Sequence, residues 1–357
     1  MTRYTRQIQL IGSENQAKLH RARVLVVGVG GLGCPVLELL CSAGIGTLGL
    51  ADFDKVELHN LHRQFLFAEK DVQQLKTAVA VERLQARNSD TIFRTYPYSL
   101  STQNVFAIID GYDIVVDCTD NFTVRYLLSD ACAIMGTPLV YGALYHYEGQ
   151  VSVFNVVKDG YTTTYRDLFP TPPQPEEVPT CNEAGILPTV SSMIGHLQAN
   201  EVLKLLLGKI DDCLVHTLLL FNTQTYQLTK IKYCKMNTSS PQTPKEVEGY
   251  NYPAFCHQTE GEELHSVEDL QAFLAQENSV LVDVREADEM PKINLFKALE
   301  LPLSELPTQW EQLKTYDYIC FVCVAGVRSM KALRFAKEVL AEKDLKSFKL
   351  GFSSLVK

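Results

Sequence analysis

The chain has 357 residues, 46% of them apolar, and a formal net charge of -9. That composition can fill more than one core, and lysine and arginine are scattered rather than gathered into a tract, which argues against nucleic acid or an anionic membrane as main partner. No stretch reaches the roughly 18 to 20 uninterrupted apolar residues of a membrane span, and the opening MTRYTRQIQLIGSENQ lacks the apolar centre of a signal peptide, so the expected location is the cytoplasm.

In chain order, the first 235 residues alternate strand-like and helix-like segments. RVLVVGV reads as a buried strand, a helix follows from Cys34 to Ala43, TLGLADFD is the next strand, a helix surrounds Lys76 to Ala86, and DIVVDCT is a further strand. This rhythm predicts a doubly wound, Rossmann-like α/β sheet. From about Met236 to Phe255 the chain (NTSSPQTPKEVEGYNYP) is rich in Ser, Thr and Pro without apolar period, and reads as an interdomain linker. A smaller α/β domain is expected after it, with SVLVDVRE and DYICFVCV as buried strands and KALRFAKEVLAEK as an amphipathic helix. The expected division is 1–235, 236–255 and 256–357.

Between the first strand and its helix stands GVGGLG, with glycines at Gly28, Gly30, Gly31 and Gly33. Residues without side chains let a phosphate approach backbone amides at the positive end of a helix. Asp52, at the end of the next strand, is placed to accept hydrogen bonds from ribose hydroxyls. Both features suit NAD as well as ATP. The segment ADFDKVELHNLHRQF separates them: its Asn60, Arg63 and Gln64, with Lys76 downstream, gather polar and cationic groups beside the nucleotide. Breaking a triphosphate needs such groups to stabilise the leaving pyrophosphate, whereas a dinucleotide bridge does not. Asp120, in VVDCTDNFTVR, follows an apolar strand at the carboxyl edge where open sheets bind ligands, and a carboxylate there can hold Mg²⁺. Singly, Lys76 reads as a solvated helix residue and Asp120 as the N-cap of the helix containing Arg125; together and in order they favour the catalytic reading.

The motifs RYTRQ, GVGGLGCP, DFDKVELHNLHRQ, DCTDN and PTCNEAGILP make residues 1–235 resemble the ThiF/MoeB/HesA family, bacterial relatives of ubiquitin-activating enzymes. The resemblance implies a homodimer that uses ATP and Mg²⁺ to adenylate the C-terminal glycine of a small β-grasp sulfur-carrier protein ending in Gly-Gly. Carried over by motif, it implies that Asp52 holds ribose, that Asn60, Arg63 and Lys76 with neighbouring Gln64 hold the phosphates, that Asp120 holds the metal, and that Arg6 reaches the phosphates in the neighbouring subunit's site. Many members carry a structural zinc on two Cys-x-x-Cys pairs. Here the equivalent stretch reads TYRDLF and the second pair is reduced to Cys234 in YCKMN, so no zinc is expected. The chain also reads QQLKT around Lys76 where relatives more often show a glycine and a proline, which leaves that loop's path open.

The ten cysteines are scattered, and Cys41, Cys118 and Cys132 lie in apolar runs where a thiol acts as a small core residue. Cys181, after TPPQPEE, reads as an exposed crossover-loop thiol. In similar ThiF proteins the matching cysteine bonds to the carrier, in MoeB-like ones it is dispensable, and a partly buried cysteine before a helix starting near Ile186 is the equal alternative. Cys323 follows a strand and precedes Val324-Ala325-Gly326-Val327 and Arg328, entering a helix; successive amides there form a cradle for a thiolate or a persulfide.

CVAGVRS together with the upstream LVDVREADE makes residues 256–357 resemble the rhodanese family, with Cys323 at the catalytic position and Arg328 closing the loop; the ending KLGFSSLVK is shorter than the usual final helix. The fusion implies that one domain activates a carboxylate and the other supplies sulfur, received from a donor for which a cysteine desulfurase is one candidate. A Cys323 persulfide attacking the glycyl-adenylate would expel AMP, and reduction of the acyl-disulfide would leave a thiocarboxylate. Two other readings stand beside this one: a non-catalytic carrier-binding protein, and an NAD-dependent oxidoreductase, which leaves Arg63, Lys76 and Asp120 without a task.

Overall fold

The computed structural model describes residues 2–173, 185–236, 238–256, 263–264, 266–293, 296–324, 326–348, 351 and 355. The chain divides into two compact units, Met1–His257 and Gln258–Lys357.

In the first unit, α1 (Thr5–Ile11) and α2 (Ser13–Arg21) lead into β1 (Arg23–Val27), α3 (Gly33–Ala43), β2 (Thr47–Ala51), α4 (Lys76–Arg87), β3 (Ile92–Tyr96), α5 (Val105–Ile109), β4 (Ile114–Asp117) and α6 (Phe122–Met135). Then come β5 (Leu139–Tyr145), β6 (Glu148–Phe154), α7 (Tyr165–Leu168), α8 (Pro188–Leu206), β7 (Thr217–Asn222), β8 (Gln227–Lys232), α9 (Pro244–Gly249) and α10 (Tyr252–Phe255). The strands form one sheet in the order β3-β2-β1-β4-β5-β6-β7-β8. The first five run parallel and the last three continue antiparallel. The strand order reverses between β1 and β4, so the carboxyl ends of these two strands open the crevice where such sheets bind ligands.

Successive side chains of β1 point to opposite faces. Val24 and Val26 join Leu37, Leu40 and Ile194 in one core, while Leu25 and Val27 join Val115, Leu128 and Tyr141 in the other. The helices end where the sequence supplies glycine: Gly44 after α3 and Gly136 after α6 both take the left-handed conformation and return their amides to the preceding turn. Among the described residues, no helix is long and apolar enough to cross a membrane.

The expected linker differs from the structure over most of its length. Helices α9 and α10 pack on α6, with Val247 and Tyr252 buried in the first unit's core. They cover a buried hub. Arg166, 1% exposed, donates through Nε and Nη2 to the two carboxylate oxygens of Asp130 at 2.8 Å each, and the Tyr252 hydroxyl donates to Asp130 Oδ2 at 2.8 Å. The Arg166 guanidinium lies 4.5 Å from the Phe255 ring centroid, 5.1 Å from that of Tyr126 and 5.4 Å from that of Tyr250. The segment carries no apolar period because Tyr250 and Phe255 against the cation and Tyr252 on its carboxylate partner, rather than a regular stripe, hold it in place.

The second unit is a five-stranded parallel sheet in the order β11-β10-β12-β13-β9, from β9 (Glu263–Leu264), β10 (Ser279–Asp283), β11 (Ala298–Glu300), β12 (Tyr318–Val322) and β13 (Asp344–Phe348). With it come α11 (Val267–Leu274), α12 (Leu306–Gln309) and α13 (Val327–Val339). The two strands and the helix read from the sequence correspond to β10, β12 and α13. Both units are thus α/β, and the larger carries a parallel-dominated sheet.

Because Arg166 and Asp130 are both buried, removing either partner strands a charge in the core. Arg166→Ala should lower the unfolding free energy by about 3–5 kcal/mol, and Tyr252→Phe by about 1 kcal/mol. Urea unfolding followed by circular dichroism measures both; an Arg166→Ala protein with wild-type stability would refute the hub.

Candidate functional site

The glycine loop serves two purposes. Gly28 sits at φ +93°, and a Cβ there would lie 2.7 Å from the Cys118 carbonyl oxygen; one on Gly33 would lie 2.0 Å from Gly28 O. These glycines let the β1–α3 turn press against the end of β4. Gly30 and Gly31 face other groups: Gln64 Nε2 lies 3.7 Å from a Cβ built on Gly30, while Ser191 Cβ and Arg63 Cδ lie 3.1 and 3.5 Å from one built on Gly31. The fold therefore brings Arg63 and Gln64 to the loop, together with Ser191 of α8.

Asp52 ties the loop to β2. Its Oδ2 accepts the Val29 amide at 2.7 Å and its Oδ1 the Asp54 amide at 2.8 Å. Burial raises the Asp52 pKa, opposed by the nearby charge of Lys76 and by the two amides. Lys76, only 5% exposed, opens α4 and donates to Asp54 Oδ2 at 2.7 Å. The solvated-helix reading of Lys76 therefore fails. Sequence reading misses Asp54, although the DFD spacing is its signal.

Asn60 is buried at the end of the 3-10 turn Leu58–Asn60. Its Oδ1 accepts the Glu57 amide at 3.2 Å, and its carbonyl accepts the amides of Arg63 and Gln64 at 3.0 and 3.1 Å, so it shapes the turn that presents them. Arg63 donates to His59 O at 3.2 Å and has no carboxylate partner among the described residues. Gln64 Oε1 is buried without a hydrogen-bond partner in the described structure, beside the glycine loop. An orphaned buried acceptor next to an uncompensated guanidinium fits a site completed by a polar, anionic ligand.

Asp120 stands at the carboxyl end of β4, exposed, with no ion pair among the described residues. The cap expected from it belongs to its neighbour: Asn121 Oδ1 accepts the Val124 amide at 3.3 Å. Beneath the turn, the fully buried Asp117 accepts Thr119 N at 2.9 Å and Thr119 Oγ1 at 2.7 Å on Oδ1, and Arg125 Nε at 3.2 Å on Oδ2. Arg125 Nη2 also donates to Thr119 O at 2.6 Å, and Gln198 Nε2 to Asp117 O at 2.7 Å. Sequence reading misses Asp117 and Gln198, which fix the turn that offers Asp120. A carboxylate left uncommitted at this edge fits a hard cation such as Mg²⁺.

Arg6 does not join this set within its own chain. It is exposed on α1, and the adjacent Gln7 donates to Ala43 O at 2.8 Å, at the C-terminal end of α3. The glycine loop lies at the other end of that helix, about 16 Å away at 1.5 Å per residue. Cys181 lies outside the described residues.

The residues present do not fit zinc. In TYRDLF, Arg166 is committed to Asp130, and Asp167 Oδ2 accepts the Thr164 amide at 2.7 Å. Asp167 Oδ1 accepts the Met236 amide at 2.6 Å, so a hydrogen bond joins this stretch to YCKMN. Cys234 is exposed. Elsewhere burial pushes the Cys34 thiol up to about 12 and raises those of Cys41, Cys118 and Cys132, in keeping with core residues.

In the second unit, Cys323 is 1% exposed at the end of β12, and Gly326 takes φ +85° before α13. Ser329 Oγ donates to Gly326 O at 2.8 Å and accepts from Ser347 Oγ at 2.8 Å. Its one proton is used, so in the 3.5 Å contact between Cys323 Sγ and Ser329 Oγ the thiol is the donor. Arg328 pairs with both oxygens of Glu289, Nη1 to Oε1 at 2.5 Å and Nη2 to Oε2 at 2.9 Å.

Residues 4–245 match the ThiF family. The sulfur carrier protein adenylyltransferase of Thermus thermophilus is 43% identical over 263 residues, 72% of this chain and 96% of its own length. Proteins named adenylyltransferase and sulfurtransferase MOCS3 from Culex quinquefasciatus and Anopheles gambiae are 39% and 36% identical; the alignments span 86% and 97% of this chain and 73% and 83% of theirs. The solved structure of E. coli MccB with ATP shares the fold, with a TM-score of 0.58 at 23% identity over 70% of this chain and 75% of that one. The chain belongs to the ThiF family.

Proposed function

We propose that the first unit adenylates the C-terminal glycine of a small β-grasp sulfur-carrier protein ending in Gly-Gly, and that Cys323 of the second unit then delivers sulfur to the activated glycine. The observation that carries this reading is the convergence, on one glycine loop, of Arg63, without a carboxylate partner among the described residues, and the orphaned Gln64 Oε1, with the buried Lys76 tied to that loop through Asp54 and Asp52, at the sheet edge that also bears Asp120. Similarity to a sulfur carrier protein adenylyltransferase supports the first activity, and similarity to MOCS3 proteins over most of the chain supports its pairing with sulfur transfer. Neither a non-catalytic carrier-binding protein nor an NAD-dependent oxidoreductase gives these groups a task.

In this reading Asp52 receives the ATP ribose, and the phosphates lie along Gly30 and Gly31 against Arg63, Gln64 and Lys76, with Asn60 holding their turn. The carrier carboxylate attacks the α-phosphorus, one O–P bond forms, the α–β P–O bond breaks, and pyrophosphate leaves. Arg63 and Lys76 offset the negative charge that moves onto pyrophosphate. Asp120 would hold Mg²⁺, which when bound supplies further charge stabilisation. Arg6, remote from its own site, completes that of the partner subunit in a homodimer.

A persulfide on Cys323, loaded by a sulfur donor such as a cysteine desulfurase, then attacks the glycyl carbonyl and expels AMP. A second thiol attacks Cys323 Sγ in the resulting acyl-disulfide; the S–S bond breaks, the thiocarboxylate leaves with the electron pair, and a disulfide remains on Cys323. Cys181 remains the candidate for holding the carrier covalently in between. The second unit's chemistry needs no metal, and the first unit is proposed to be free of zinc.

Asp120→Ala should lower carrier-dependent ATP–pyrophosphate exchange by roughly 100-fold or more, because the charge it organises is needed chiefly in the transition state. Normal exchange by a folded variant would sink the assignment. Mixing Arg6→Ala with Asp120→Ala subunits should restore one working site per mixed dimer; no recovery once mixed dimers are shown to form would refute a shared site. Elemental analysis of protein purified without chelator should find far less than one zinc per chain, and stoichiometric zinc would overturn that proposal.

A further inference from the structure

Helix α1 is too short to hold its own direction. It has seven residues, fewer than the roughly 12 to 15 an isolated helix needs in water. It meets α2 at Gly12, whose φ of +84° is a conformation that favours glycine, with nothing within 4 Å of a Cβ built there. What aims the helix is a set of side-chain ties to the C-terminal end of α3. Gln7 uses both amide protons: Nε2 donates to Ala43 O at 2.8 Å and to Gln16 Oε1 at 2.8 Å. Gln16, 3% exposed, donates from its own Nε2 to the same carbonyl at 3.1 Å. Ala43 is the last residue of α3, so its carbonyl has no partner within the helix and these two amides satisfy it.

A second tie sits just before the helix. The Tyr4 ring fills the space that a Cβ on Gly44 would take, which would lie 2.7 Å from Tyr4 Cε1, and the Tyr4 hydroxyl accepts from Asn88 Nδ2 at 2.8 Å. Asn88 Nδ2 also donates to Cys41 O at 2.8 Å, another carbonyl of the last turn of α3. These contacts fix the rotation of α1 about its axis. Gln7 and Ile11 turn toward the unit, where Ile11 packs on the core, while Arg6, Gln9 and Leu10 form one exposed strip. Arg6 is thus presented to solvent by the residue next to it, at the end of α3 remote from its own glycine loop.

We propose that Gln7 is a positioning residue that acts in trans: clamped with Gln16 on the Ala43 carbonyl, it aims Arg6 of its own subunit at the phosphates bound in the partner's site. The inference rests on the reading that Arg6 completes that site. A guanidinium stabilises the charge moving onto pyrophosphate best where it is held in place beforehand, since an arm that swings about a glycine must lose that freedom in the transition state. Without the clamp the charge remains but its direction is lost. The defect of a Gln7 variant therefore belongs to the neighbouring subunit's site rather than to its own.

The test measures ATP–pyrophosphate exchange by the full chain with a β-grasp carrier protein ending in Gly-Gly. Gln7→Met, which keeps the side chain's length and removes both donors, should lower kcat/KM about tenfold. Gln16→Met, which leaves the direct bond from Gln7 to Ala43 O, should lower it less. Combined with Arg6→Ala, Gln7→Met should add no further loss, because the group it positions is gone. Mixed dimers of a Gln7→Met and an Asp120→Ala subunit, isolated by two tags, should regain one working site, since the intact site receives its arginine from a subunit whose clamp is whole. A clamp that acts on its own subunit's site, or one that merely stabilises the fold, gives no such recovery and an additive loss with Arg6→Ala. Either result overturns the proposal, as does unchanged exchange in Gln7→Met. Should Gln7→Met fail to fold by circular dichroism, Gln16→Met carries the same two comparisons. Arg6→Ala mixed with Asp120→Ala separates the two layers: if that pair forms no dimer or does not recover, the shared-site reading fails and the proposal with it. If it recovers while the Gln7 pair does not, Gln7 alone is wrongly assigned.

Discussion

The first unit depends on how closely two turns approach each other at the reversal point of its sheet. The backbone at Gly28 lies so near the Cys118 carbonyl that no side chain fits between them, and this contact joins the β1–α3 turn to the β4–α6 turn. From there a continuous set of hydrogen bonds runs outward: the Val29 amide to Asp52, Asp52 to the Asp54 amide, and the Asp54 carboxylate to Lys76. On the β4 side, Asp117 is gripped by Thr119 and Arg125, and its carbonyl by Gln198. Buried ion pairs such as Asp117–Arg125 contribute little net stability once desolvation is counted. Their contribution here is geometric, since they hold the backbone that carries Asp120 in one arrangement.

The local parts of this site are legible in the sequence because they depend on local rules. A run of valines followed by glycines can only be a buried strand entering a tight turn, and an acidic residue at the end of the next strand belongs to the same motif. The parts that cannot be read come from far away in the chain. Ser191 and Gln198 reach the site from α8, a helix whose sequence carries no nucleotide motif, and only the closure of the sheet brings them to Gly31 and Asp117. Asp120 and Asn121 pose a different problem. Both side chains are good N-caps, and only the backbone decides that Asn121 takes the cap while Asp120 stays uncommitted.

The segment after β8 escapes sequence reading for a physical reason. Pro, Ser and Thr without apolar period ordinarily mean a solvated tether, but here a few aromatic and aliphatic side chains anchor short helices on α6, and Tyr252 satisfies a buried carboxylate. Composition averages such anchors away. In the second unit the loop around Cys323 is visible in the sequence, but the use of the single Ser329 proton is not, because it depends on Ser347 from β13. The position of that proton has a chemical consequence. In the thiol state Ser329 can only accept from Cys323, and it can donate to an anionic sulfur only by turning its proton away from Gly326 O.

Hydrogen bonds can take over the work of a metal in the first unit, at the place where a soft tetrahedral site would join two segments. A zinc site would hold them through thiolates and would fail on oxidation or chelation. Asp167 instead spans from the Thr164 cap to the Met236 amide with its two oxygens, and beside it Arg166 couples α6 and α7 to the ring faces of α10. Each link is weaker than a metal–thiolate bond, and the buried guanidinium tolerates no loss of its carboxylate partner. The result is a joint independent of thiol redox state, set in a protein whose proposed chemistry passes reactive sulfur from one thiol to another.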